Sequence, residues 1–298
     1  MEGEPAGDGQ APHRPPVEEE VDEREISASE LEVTRKIGEG TTAVVFLGKL
    51  RGVVVAVKEI RALSDETHLA TIQAVQRELR VLTSVSHPNI VHFVGLVTET
   101  FPLRLVLEYC AGGSLFELLY NNWQIPISVQ QRVKMLLDTA MAEEHLHSFD
   151  PPIIHRDLKS LNLMLLSPVK DNVTVPHVKL ADFGFARIEE RAMTQGVGTK
   201  HWMAPEVLKG TKYTTKADVF SFAMVAYEVA FRYVPFEQLD AHTVARYTMQ
   251  GIRPDFEEVS LDEAPAGILE IIQECWAQDP EARPSFHEVR EKVELLQG

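Results

Sequence analysis

Two β-branched runs, AVVFLGKL (residues 43–50) and GVVVAVKEI (52–60), meet at Arg51-Gly52, a pattern that predicts a β-hairpin. Next, HLATIQAVQRELRVLTSV spaces Ile72, Val75, Leu79 and Leu82 three and four apart, the period of a helix with one apolar face. LRLVLEYC, residues 103–110, is strand-like again. Beyond Gly112-Gly113 the pattern is mainly helical, with short strands near NLMLL and VKLADFG. The most apolar segment, Val219 to Ala230, encloses Glu228 and is followed by Arg232, so it predicts a buried helix. Nowhere do eighteen apolar residues run together, which argues against a membrane span. Strands first and helices afterwards predict an α+β protein of two unlike lobes. One position conflicts with this order. The stripe Val133, Leu137, Ala140 continues at helical spacing to Glu144, and a carboxylate facing a core is costly unless paired or protonated.

Residues 1–28 are rich in Pro, Gly and Glu, too poor in apolar side chains to offset chain entropy, and predict disorder. The 298 residues, 44% hydrophobic, suffice for one or two domains. Net charge is −16, and the first 30 residues contribute half of it, ten carboxylates against two arginines. That balance argues against nucleic acid as a partner. The two cysteines, Cys110 and Cys275, have no metal-ligand spacing and fit a reducing compartment. The N-terminus offers neither a signal core nor the second-position glycine that myristoylation needs, so the expected location is cytoplasmic.

Candidate chemistry comes from polar residues in special places. In IGEGTTAVVF, Gly38 and Gly40 fall between two strands, where missing Cβ atoms let backbone N–H groups approach a phosphate. A plain hairpin turn explains them equally well. Lys58 ends a strand and shares a face with Ala56. Glu78 lies beside the apolar stripe of the following helix, poorly placed for solvation, and Lys58 is a candidate partner. HRDLKSLN, residues 155–162, reads as a tight polar loop, and ADFG follows with Asp182 at a strand end. Asn162 and Asp182 are hard oxygen donors of the kind Mg²⁺ accepts. Asp157 is suited to orienting a hydroxyl and taking its proton, with Lys159 neutralising charge on a transferring phosphoryl group.

Taken in order, GEGTTAVV, AVK, a helix Glu, HRDLKSLN, DFG, MAPE and DPEARPSF resemble the signature of the eukaryotic protein kinases over roughly residues 30–297. The resemblance implies a bilobal kinase domain: an N-lobe, residues 29–110, with an antiparallel sheet and one regulatory helix, and a larger, mostly helical C-lobe, residues 111–298. It implies ATP bound beneath Gly38, Glu39, Gly40 and Val45, with Ile37 and Ala56 above the adenine and Met164 below it. Lys58 would reach the α- and β-phosphates, oriented by Glu78. Leu107 would be the gatekeeper, Glu108 and Cys110 the hinge, and Ser114 a neighbour of the ribose. Asp157 would be the catalytic base, Lys159 a contact of the γ-phosphate, and Asn162 and Asp182 ligands of magnesium, or manganese in its place. Glu206 would pair with Arg283, and Asp218 would tether the catalytic loop.

Lys159, and Thr199 bridging Asp157 and Lys159, point to serine/threonine protein substrates. AGGSL and WMAPE resemble the tyrosine-kinase-like group, such as Raf-type and mixed-lineage enzymes. Arg156 is the residue that in similar kinases pairs with an activation-segment phosphate. Thr194 is the best acceptor there, which implies an upstream kinase or self-association for activation. Three departures stand out: Ala43 replaces the third loop glycine, DVFSFA replaces DVWSFG, and SPVKDNVTVPH lengthens the stretch between Asn162 and Asp182. Two other readings stay open, a nucleotide-binding pseudokinase scaffold and a tyrosine or dual-specificity kinase.

Overall fold

The structure, a computed structural model, describes residues 24–40, 43–60, 79, 82–182, 199–256 and 264–297. Five antiparallel strands, β1 (Leu31–Glu39), β2 (Ala43–Leu50), β3 (Val53–Ile60), β4 (Phe93–Val97) and β5 (Arg104–Glu108), form one sheet in the order β1-β2-β3-β5-β4. The β2–β3 hairpin turns where expected. Arg51 (φ 48°) and Gly52 (φ 85°) both take the left-handed conformation that a two-residue hairpin matching strand twist demands.

β3 alternates between two faces. Val55 and Val57 point into a small cluster with Ile26, Leu31, Val97 and Val106. Ala56 and Lys58 point the other way. Register fixes what joins them: Gly38 stands opposite Val45, Val45 opposite Lys58, Lys58 opposite Leu105, and Ala56 opposite Leu107. Directly opposed residues share a face, so Val45, Ala56, Lys58 and Leu107 line one side of the sheet. Ala43 begins β2 buried, without a left-handed φ, and its carbonyl accepts the Gly40 N–H at 2.9 Å.

The remaining described elements are helices and a ribbon of β6 (Leu163–Leu165) and β7 (Val178–Leu180), joined by loops. The α-helices described from end to end are α1 (Val129–His147), α2 (Pro205–Leu208), α3 (Lys216–Phe231), α4 (Ala241–Met249), α5 (Ile268–Cys275) and α6 (Phe286–Leu295). α3 buries every residue from Ala217 to Phe231, as its composition predicts. α1 opens on a reciprocal cap between Ser128 and Gln131, a motif that stabilises by about 1 kcal/mol. Arg132 then caps the far end of α3 through the Val229 and Ala230 carbonyls, at 2.9 and 2.6 Å. Among the described residues no helix is long and apolar enough to cross a membrane.

Two expectations need correction. Packing begins before residue 29: the Ile26 N–H donates to Leu96 O at 2.8 Å, the Leu96 N–H to Arg24 O at 3.0 Å, and Ile26 is buried. The backbone comes so close that a Cβ on Gly95 would stand 2.5 Å from the Arg24 carbonyl. Glu144 does not face the core either. It lies between α1 and α6, 2.7 Å from both His287 Nδ1 and Arg290 Nε. The inward line is Val133, Leu136, Ala140 and Glu143, so the buried carboxylate is one residue earlier.

The long segment before β7 is a surface loop, with Val173 and Val175 exposed. Asp171 Oδ1 holds its turn by accepting the N–H groups of Val173 and Thr174. Gln131 ties the loop to the start of α1 through the Asp171 and Thr174 carbonyls.

Candidate active site

Lys58 is buried at 7% exposure, and its ammonium contacts the carboxylate of Asp182, 124 residues later. Withdrawal from water pushes the Asp182 carboxyl up, but Lys58, aided by His155 and Lys159, more than offsets that and holds it below the usual carboxylate range. Asp182 thus stays ionised. Its φ of 68° is left-handed, as is that of Arg156 (71°), and such conformers cost about 1–3 kcal/mol where side chains are present. Neighbouring bonds impose both. The Ala181 N–H donates to Asn162 O at 2.9 Å, and the Arg156 N–H donates to Asp218 Oδ1 at 2.8 Å.

The loop from His155 to Asn162 is closed on itself. Lys159 Nζ lies 2.7 Å from Asp157 Oδ2. Asn162 Nδ2 donates to the Asp157 carbonyl at 2.8 Å and to Asp157 Oδ2 at 2.9 Å. With its NH₂ group so committed, Asn162 has its amide oxygen left as a ligand atom, and with the Asp182 carboxylate it supplies the hard oxygen donors a magnesium ion takes. Asp218 anchors the loop from α3 through the His155 and Arg156 N–H groups, both at 2.8 Å.

Just after β5, residues 111–114 run beside β6: Gly112 N–H to Leu165 O at 2.9 Å, Leu165 N–H to Gly113 O at 2.8 Å, and Ser114 bridged to Met164. Met164 and Ser114 are thus brought against the end of β5, which holds Leu107 and Glu108. Ser114 Oγ, however, accepts the Glu117 N–H at 3.2 Å, a capping task absent from the expected role. Ile37 is exposed at the edge of β1. Glu206 and Arg283 form a buried two-pronged pair at 2.7 and 2.9 Å. Glu78 and Thr194 lie outside the described residues, and of Thr199 only the backbone, in a tight helical turn, is described.

Three features were not foreseen. Lys179, buried in β7, pairs with the Glu108 carboxylate at 2.9 Å and fastens the ribbon to β5. Glu143, on α1, is fully buried. Glu228, visible in sequence only as a charge inside an apolar helix, accepts hydrogen bonds from Ser160 Oγ (2.6 Å), Trp202 Nε1 (2.6 Å) and Tyr120 OH (3.1 Å). It joins the catalytic-loop candidate to two other segments. Burial pushes its carboxyl up to about 7 despite these donors. A raised value means the fold prefers the protonated form. The stability this confers is complete below the unfolded value of 4.5 and is lost as pH rises through about 7. Glu228→Gln, which keeps shape without charge, should remove up to about 3 kcal/mol of that decline. Urea unfolding at pH 5 and pH 8 measures it; equal pH dependence in the two proteins would contradict the assignment.

Cys110 is buried, and burial followed by the Glu108 charge pushes its thiol up to about 12. Burial raises Cys275 likewise. Both thiols should ignore a disulfide reagent at pH 7 in the native protein and react at once in denaturant. A fast-reacting native thiol would contradict this burial.

Comparison with known proteins shows the family. The family profile described as protein kinase domain matches residues 31–293. A probable serine/threonine-protein kinase of Dictyostelium discoideum is 35% identical over 268 residues, 89% of this chain and 28% of its own length. The serine/threonine-protein kinase VIK of Arabidopsis thaliana is 35% identical over 295 residues, 96% of this chain and 64% of its own. A dual specificity protein kinase of D. discoideum is 34% identical over 277 residues, 92% of this chain and 19% of its own. The chain therefore spans less than two thirds of each of these relatives.

Proposed function

Because the chain belongs to the protein kinase domain family, we propose that it transfers the γ-phosphoryl group of ATP to serine or threonine hydroxyls of intracellular, cytoplasmic proteins. The observation that carries this reading is the contact of Lys58 with Asp182 beside the hydrogen-bonded set Asp157, Lys159 and Asn162. Lys58 neutralises the α- and β-phosphates, and Val45, Ala56, Leu107 and Met164 enclose the base. Asn162 and Asp182 hold magnesium, or manganese, which supplies charge neutralisation along the triphosphate. Asp157 orients the acceptor hydroxyl and takes its proton, while Lys159 neutralises charge on the phosphoryl group in transit. Positioning and electrostatics do the rest.

Residues 29–110 and 111–298 act as the two lobes, and the subgroup is the tyrosine-kinase-like one. Activation passes through phosphate on Thr194, placed by an upstream kinase or a second copy. Arg156 is its receiver: its Nε is buried with no partner among the described residues, and its guanidinium sits 5.4 Å from the Tyr213 ring centroid. Single-turnover transfer from γ-labelled ATP to a basic protein, followed by phosphoamino-acid analysis, tests the proposal. Phosphoserine or phosphothreonine is expected. Phosphotyrosine would favour the dual-specificity reading, as one relative's name suggests, and no transfer would favour the scaffold reading.

A further inference from the structure

Directly beneath the catalytic-loop candidate, two buried carboxylates and an imidazole converge from α1 and α3. His147 Nε2 lies 3.0 Å from Asp218 Oδ2 and 3.6 Å from Glu143 Oε2, and the three donor atoms lie within 4.8 Å of one another. Glu143 has no exposed surface, and neither of its oxygens has a hydrogen-bond partner among the described residues. That is an expensive state. A buried carboxylate without a partner costs several kcal/mol. A proton alone is a poor remedy, because the new O–H would still lack an acceptor and the carbonyl a donor.

We propose that Glu143, His147 and Asp218 form a binding site for one divalent transition-metal ion of the zinc class, which fastens the end of α1 to α3 under the catalytic loop. Tetrahedral bonds of about 2.0–2.1 Å separate ligand atoms by about 3.3 Å, close to the two spacings given above. One imidazole nitrogen and two carboxylate oxygens are ligands zinc accepts. The outer layer is built as well. Asp218 is braced by the N–H groups of His155 and Arg156, which fix the direction of its carboxylate. His147 packs edge-on against Phe286, with ring centroids 5.1 Å apart. Its side chain keeps 12% of its surface exposed, a route for the ion, with a water free to complete the coordination. Binding requires Nε2 to be unprotonated, so the imidazole carries its proton on Nδ1, and a proton leaves to solvent if the ring was charged.

The test uses the full chain, dialysed against chelator and then titrated with Zn²⁺ in excess Mg²⁺, with Co²⁺ as a coloured substitute. One equivalent of Zn²⁺ should bind, Tm should rise with it, and Co²⁺ should show the strong visible absorption of four-coordinate geometry. Glu143→Met, which replaces the charge with an apolar side chain of similar length, should fold and weaken Zn²⁺ binding at least about 100-fold; His147→Gln should do the same. His287→Ala removes the imidazole of the separate Glu144 cluster on the surface and should leave binding unchanged. Equal Zn²⁺ affinity in wild type and Glu143→Met would overturn the proposal. So would wild type that binds no Zn²⁺ and shows a protonated-carboxyl infrared band that Glu143→Met removes.

Discussion

With the proposed activity, Asp157→Asn should lower kcat by about 10²–10⁴-fold and leave the KM for ATP and the folding stability nearly unchanged. The side chain touches only Lys159 and Asn162 among the contacts described and keeps 22% of its surface exposed, so an isosteric amide fits without a cavity, and its carbonyl can still accept from Lys159 Nζ. On the proposed mechanism, what disappears is the ability to take a proton from the acceptor hydroxyl as the new bond forms. Because that contribution exists only in the transition state, it shows in kcat. Single-turnover rates at saturating ATP, with ATP affinity measured separately, check it. A variant that keeps kcat and loses ATP affinity would assign Asp157 to binding instead.

Arg283→Met should destabilise the protein by about 3–5 kcal/mol, a fall in Tm on the order of 10 °C. Arg283 is 1% exposed, grips Glu206 with two hydrogen bonds, donates to the Ala277 and Lys216 carbonyls, and lies 5.1 Å from the Phe220 ring centroid. Methionine fills much of the volume but strands the Glu206 carboxylate. The energetic loss is mainly that of the abandoned charge. The double variant Glu206→Met/Arg283→Met should therefore recover much of it, whereas unrelated effects would add. Denaturant unfolding of the four proteins measures the coupling, and a single variant that loses less than about 1 kcal/mol would contradict the argument.

Much of the placement of the candidate site was legible because its residues sit in local patterns. Alternation in VVVAVK assigns Val55 and Val57 to one face and Ala56 and Lys58 to the other, and the register of β2, β3 and β5 realises that division. Asp157, Lys159 and Asn162 lie within six positions of each other, so one loop gathers them. Asp182 meets them because β6 and β7 pair, which two short apolar runs already suggested. Phase was harder to read in α1. That helix buries residues on several sides, including Arg132, Asp138 and Glu143, so no narrow stripe fixes its rotation and the carboxylate was placed one residue late. The N-terminal boundary failed for a related reason: a lone Ile26 among charges carries little periodic signal, yet it fills a gap on the sheet. Pairs such as Lys179 with Glu108, and the three donors on Glu228, depend on segments far apart in sequence. No local pattern announces them.

Labelling with an acyl-phosphate derivative of ATP, whose reactive end occupies the γ-phosphate position, tests the convergence of these side chains most directly. Mass spectrometry of the digested protein should find the nucleotide's acyl group on Lys58 or Lys159, and excess ATP with magnesium should suppress it. Labels confined to other lysines, or labelling of Lys58 and Lys159 that ATP and magnesium do not reduce, would contradict a single nucleotide site built from Lys58, Asp157, Asn162 and Asp182.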